Sequence, residues 1–108
     1  MLERASARAT ASRVGIGAIC KIFLKEFNIR ISSRVLSIGG ETIHQGMIEK
    51  INEAIKEKDT VGGIFEVAAQ GVPVGLGSYV QPDRRLDARF AKNIMSIPGI
   101  KGVEIGLG

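Results

Sequence analysis

Four stretches of the sequence carry residue types able to do chemistry. The first is Glu3-Arg4-Ala5-Ser6-Ala7-Arg8-Ala9-Thr10. On a helix, Arg4 and Arg8 stand one turn apart on one face, with Ser6 and Thr10 on a neighbouring face. A helix N-terminus has free N–H groups and a positive dipole end. Two guanidiniums beside it would cradle a phosphate or a carboxylate. The plainer alternative is a solvated basic first turn. The second stretch, Gly71-Val72-Pro73-Val74-Gly75-Leu76-Gly77, has enough glycine to let backbone approach a ligand closely. It is neither a P-loop, since no Gly-Lys-Ser/Thr follows, nor a Rossmann fingerprint, and a surface turn is the alternative.

The third stretch is Asp83-Arg84-Arg85-Leu86-Asp87. Asp87 could anchor a ligand while Arg84 or Arg85 contacts an anion. Acidic residues at a helix start, as the dipole prefers, are the alternative. The fourth runs from Ser96 through Pro98-Gly99 to Gly106. It reads as a helix-to-strand turn whose main-chain groups could meet the edge of a planar cofactor, or as an ordinary loop. His44, the sole histidine, reads as an exposed helix-start residue, and Cys20 as inert core.

The elements that must position these residues follow from apolar spacing. A first helix is expected over about residues 4–26, with Val14, Ala18 and Ile22 on one stripe. Gly15 and Gly17 each weaken its interior by about 1 kcal/mol relative to alanine. Tight packing against another element would offset that. A strand is expected over 29–38, with Ile29, Ile31, Ser33 and Val35 on one face and Arg30, Ser32, Arg34 and Leu36 on the other. Gly39-Gly40 ends it. A helix over 42–58 puts Ile48, Ile51 and Ile55 on one stripe and should cover a sheet. A strand over 63–69, the glycine loop, a helix over 86–95 and a final strand over 100–105 complete an αβαβαβ order. The sequence reads as a single partial domain over 1–108, with both ends as if cut from something longer.

Composition narrows the classes. The chain has 108 residues, enough for one domain. Its one cysteine cannot form an internal disulfide, which suits a reducing cytoplasm. One histidine and one cysteine cannot build an ordinary zinc site, so no metal is expected. The sequence shows no apolar run long enough to span a bilayer, so no membrane is expected either. The net charge of +4 suits an anionic partner. Aromatic content of only 5% with no tryptophan argues against base stacking, so nucleic acid is not expected as a partner.

Taken in order, the motifs are more specific than any one of them alone. The run Glu3-x-x-Ser6-Ala7-Arg8-x-Thr10-x-x-x-Val14-x-x-Gly17-Ala18-Ile19 resembles a signature of chorismate synthase. So do Asp59-Thr60-Val61-Gly62-Gly63, the Gly71–Gly77 loop, Arg85-Leu86-Asp87, and Ser96-Ile97 through Lys101-Gly102-Val103-Glu104-Ile105-Gly106. The resemblance covers nearly the whole chain and the middle part of the family's sequence.

That resemblance implies an α+β fold of the β-α-β sandwich type. It implies a phosphate lyase of the shikimate pathway of aromatic amino acid biosynthesis. Such an enzyme converts 5-enolpyruvylshikimate 3-phosphate to chorismate by a 1,4-elimination that needs reduced FMN, with NADPH as reductant in bifunctional members. It implies a homotetramer. Arg4, Ala5 and Ser6 match an FMN-contacting tripeptide, Pro98 and Gly99 a second FMN-contacting pair, and Arg8 an arginine suited to the anionic substrate. The sequence departs from the family at Ala9, where glutamate is usual, and at Pro98-Gly99, where Asn-Ala is frequent. The family's Gly-Glu-Ser-His-Gly and Arg-Pro-Gly-His-Ala-Asp motifs, whose histidines are the proposed proton donors, have no counterpart here, and no catalytic residue is assigned. Two alternatives stand beside the enzyme: a non-catalytic core that folds and self-associates through apolar faces around Ile22, Phe23 and Ile94, and a small basic nucleic-acid-binding domain.

Overall fold

The computed structural model describes residues 7–106. Arg4, Ala5 and Ser6 lie outside the described residues. The element order is α1 (Ala7–Lys25), β1 (Arg30–Ile38), α2 (His44–Glu57), β2 (Gly63–Gln70) and α3 (Leu86–Met95), an α+β chain. Two compact units divide it: residues 21–71, and residues 1–20 together with 72–108.

In the 21–71 unit, the end of α1 is fixed by backbone chemistry. Asn28 is left-handed (φ 60°), the Ile29 N–H reaches the Leu24 carbonyl at 3.1 Å, and the Asn28 N–H reaches the Lys25 carbonyl at 3.0 Å. This is a Schellman cap, with asparagine in place of the usual glycine. The end of α2 is built the same way around Lys58 (φ 55°), with Asp59 N–H on the Ala54 carbonyl at 2.9 Å.

β1 and β2 form an antiparallel pair, with α2 in the connection between them. The register sets Ile31 opposite Ala69, Ser33 opposite Val67 and Val35 opposite Phe65 on one face. Arg30, Ser32 and Arg34 oppose Gln70, Ala68 and Glu66 on the other. These are the faces expected from alternation, up to the irregularity between Val35 and Ser37, where Leu36 is left unpaired. Arg34 donates to Glu66 across the strands at 2.7 Å. Gly39 and Gly40, both at positive φ, close a two-residue turn in which Ile38 and Glu41 exchange N–H···O bonds of 3.0 Å. Only such a pair of left-handed residues fits that turn, which explains why two glycines end the strand. α2 lies against β1, and an apolar hollow of about 330 Å³ separates Ile51 from Val35 and Phe65.

Four expectations need correction. Residues 100–105 form no strand, because no partner strand hydrogen-bonds to them among the described residues, and the order is αβαβα. Cys20 is exposed rather than core. Among the described residues, Gly15 and Gly17 are not packed against another element: beyond the helix's own backbone, a Cβ at either would meet no atom within 4 Å. The apolar stripe of α1 is correspondingly open, with Val14 67% and Ile22 66% exposed, while Ile94 is half-buried rather than exposed. Ile29 is the one buried hydrophobic side chain among the described residues.

Candidate functional site

Within the unit that contains residues 72–106, the turn after α3 carries Pro98 and Gly99 of the expected site, and α3 begins beside Arg84, Arg85 and Asp87. α3 starts at Leu86, and its first turn holds Asp87. The Arg85 guanidinium grips that carboxylate with two nitrogens, Nε at 3.1 Å on Oδ1 and Nη2 on Oδ2, and the Ala88 N–H donates to Oδ1 at 2.8 Å. The Arg85 hydrogen bond, and then the Ala88 N–H, hold the Asp87 carboxyl below its ordinary value. The Arg85 charge is reinforced in turn. Asp87 is therefore occupied as a local brace at a helix start, the plainer of its two sequence readings, and Arg85 is spent on it. Arg84 makes only a backbone bond, to the Gln81 carbonyl.

α3 ends at Ser96, whose Oγ donates to the Asn93 carbonyl at 2.6 Å. The next four residues form a tight turn in which the Ile100 N–H donates to the Ile97 carbonyl at 3.2 Å. Pro98 occupies the second position, where its fixed φ is preset, and Gly99 the third at φ 90°. That is the sequence chemistry of a type II turn. Both residues are exposed, and among the described residues no atom beyond the chain neighbours stands within 4 Å of where a Gly99 Cβ would lie.

α1 reaches the same turn. Arg13 Nη1 donates to the Ser96 carbonyl at 3.4 Å, joining residues 83 positions apart in sequence. Arg8 is exposed near the start of α1, and its carbonyl accepts from Ser12 Oγ at 3.3 Å. The structure thus ties α1, which carries Arg8, to the end of α3, two residues before Pro98. Arg13 escaped the sequence reading because nothing local marks it; its partner is fixed only by the fold. The 71–77 loop contributes exposed apolar side chains, Val74 and Leu76 among them, and no charged side chain. His44 is exposed at the first position of α2, as expected. No helix among the described residues is long and apolar enough to cross a membrane.

The chorismate synthase family model matches residues 1–108. The chain is 56% identical to the chorismate synthase of Caldanaerobacter subterraneus subsp. tengcongensis, covering all of this chain and 31% of that protein. It is 53% identical to that of Thermoanaerobacter pseudethanolicus, with the same coverage. Against that of Staphylococcus aureus (strain JH9) it is 41% identical over 133 positions, covering all of this chain and 34% of the relative. A solved structure described as a crystal structure of chorismate synthase superposes with a TM-score of 0.88 at 40% identity, covering 96% of this chain and 41% of the other. The chain spans about a third of the length of these curated relatives. A family match over every residue, with the same fold at this identity, establishes that the chain belongs to the chorismate synthase family.

Proposed function

We propose that this chain serves chorismate synthase chemistry, the 1,4-elimination of phosphate from 5-enolpyruvylshikimate 3-phosphate to give chorismate. The observation that carries the reading is the Pro98-Gly99 turn, open on its exposed side and tied through Arg13 and Ser96 to the helix that bears Arg8. The turn suits the edge of an isoalloxazine ring, and Arg4, Ala5 and Ser6 would add the second flavin contact. When bound, reduced FMN supplies transient electron density that assists loss of phosphate, without net redox change. Arg8 would bind the substrate's phosphate or carboxylate, and a guanidinium there stabilises charge growing on the departing phosphate.

Domain 1–108 would then act as one partial domain of a cytoplasmic, homotetrameric enzyme. The family's proton-donor histidines have no counterpart in these 108 residues, and a general acid must lie within hydrogen-bond reach of its substrate. A second reading, a folded core that self-associates without catalysis, is favoured by the open apolar faces of α1 and the β1–β2 pair. An anaerobic assay with chemically reduced FMN and 5-enolpyruvylshikimate 3-phosphate, following chorismate absorbance, separates the two. Turnover supports the enzyme. A cooperatively folded sample without turnover supports the core.

A further inference from the structure

The junction between α1 and β1 holds a feature that the flavin reading does not use. A cleft of about 710 Å³ opens there, wholly within residues 21–71. Lys21, Lys25 and Arg30 line it, and no acidic residue does. The side-chain amides of Asn28 and Gln70 line it as well. Among the described residues, none of these five side chains has a hydrogen-bond or ion-pair partner, whereas the cations at Arg34, Lys50 and Arg85 are each paired with a carboxylate. Lys21 and Lys25 stand at i, i+4, an arrangement that costs a helix a few tenths of a kcal/mol. Lys25, in the last turn, suits the negative end of the helix dipole, but Lys21 and Arg30 gain nothing from it. Three full positive charges outweigh the partial negative charge of the helix end.

The cleft is also not purely polar. It is lined by the buried Ile29 and by Ile31 on the strand that follows. Its walls are held rather than loose. The Asn28 cap fixes one side, and Gly71 meets it so closely that a Cβ there would lie 2.3 Å from the Asn28 carbonyl oxygen. A concave site with apolar lining and a few convergent polar groups is the usual form of a small-ligand site. The geometry points to a binding site for a small organic anion, a phosphate or carboxylate head on an apolar body, with the head between Lys21, Lys25 and Arg30 and the body against Ile29 and Ile31.

Proton–nitrogen correlation spectra of the 108-residue chain, titrated with phenyl phosphate, benzoate, inorganic phosphate and benzyl alcohol, test this. Expected are saturable shifts at the backbone amides of residues 28–31 and 70–71 with phenyl phosphate or benzoate. The stronger of these two probes identifies the preferred head group. Inorganic phosphate, which lacks the body, and benzyl alcohol, which lacks the charge, should both bind more weakly. Lys25→Gln and Arg30→Gln should each weaken binding by up to about fivefold, the scale of a partly exposed ion pair. The inference is overturned by shifts that fail to saturate below about 10 mM, the millimolar limit of weak specific binding. Equal shifts at exposed apolar residues such as Val74 and Tyr79, or indifference to both glutamine variants, would overturn it as well.

Discussion

Gly71→Ala should be the most damaging single-methyl change in the unit of residues 21–71. Gly71 has φ 78°, a left-handed conformation that costs a residue with a Cβ about 1–2 kcal/mol. The added methyl would also sit 2.3 Å from the Asn28 carbonyl oxygen and 3.3 Å from its carbon. Both are backbone atoms, and Asn28 is itself locked by the Schellman bonds that end α1. Relief therefore means shifting the end of β2 away from the cap, and overpacking of that kind costs about 1–3 kcal/mol more. The sum is about 2–5 kcal/mol. Gly15→Ala serves as the internal control. It lies inside α1, has open space where the methyl goes, and should stabilise by about 0.5–1 kcal/mol. Urea denaturation followed by far-UV circular dichroism reads both, with the m-value held constant to show that the denatured state is unchanged. If Gly71→Ala stays within about 0.5 kcal/mol of the parent, the range of an ordinary surface substitution, the account of the junction is wrong.

Other expectations follow the same logic. Lys58→Gly removes a side chain from a left-handed cap and should raise stability by about 1 kcal/mol in the same urea experiment. The folded-state pKa of Asp87 lies below its ordinary value of 3.8, so its contribution is present above that value and is lost as pH falls through the lower folded one. Asp87→Asn should accordingly flatten the acid limb of a stability–pH curve and leave the neutral region's slope unchanged. A double-mutant cycle on Arg34 and Glu66, both substantially exposed, should give a coupling of about 0.2–1 kcal/mol that shrinks as salt is raised. Arg8→Ala should abolish most of any enhancement of flavin binding by substrate, about tenfold if one charge-assisted hydrogen bond is lost.

Much of the architecture is legible in the sequence because its cues are local. Alternation in 29–38 and 63–69 sets the strand faces, and the Gly39-Gly40 pair requires the tight turn that follows β1. Proline followed by glycine at 98–99 specifies the turn after α3. What is not legible depends on partners. Residues 100–105 alternate like a strand, but a strand exists only when another strand bonds to it, and none does among the described residues. Cys20 sits in an apolar stretch and yet is exposed, because periodicity marks which face is apolar and not whether anything covers it. The same holds for the α1 glycines, whose expected packing partner is missing from the described residues. The candidate site divides along the same line. Arg8, Pro98 and Gly99 are visible as motif positions, whereas Arg13 becomes visible only through its bond to Ser96. The cationic cleft needs Lys21 and Lys25 of α1 to meet Arg30 of β1, and only the helix cap at Asn28 brings them round.

The most direct test is a flavin-binding titration of the 108-residue chain, read as the difference spectrum of FMN with and without 5-enolpyruvylshikimate 3-phosphate, and repeated on Gly99→Val. The account predicts a saturable shift that tightens with substrate and weakens in the variant, because a branched side chain strains the left-handed turn and fills the open space beside its peptide. No shift at high micromolar protein, or a shift that Gly99→Val leaves unchanged, would contradict the placement of the flavin at this turn.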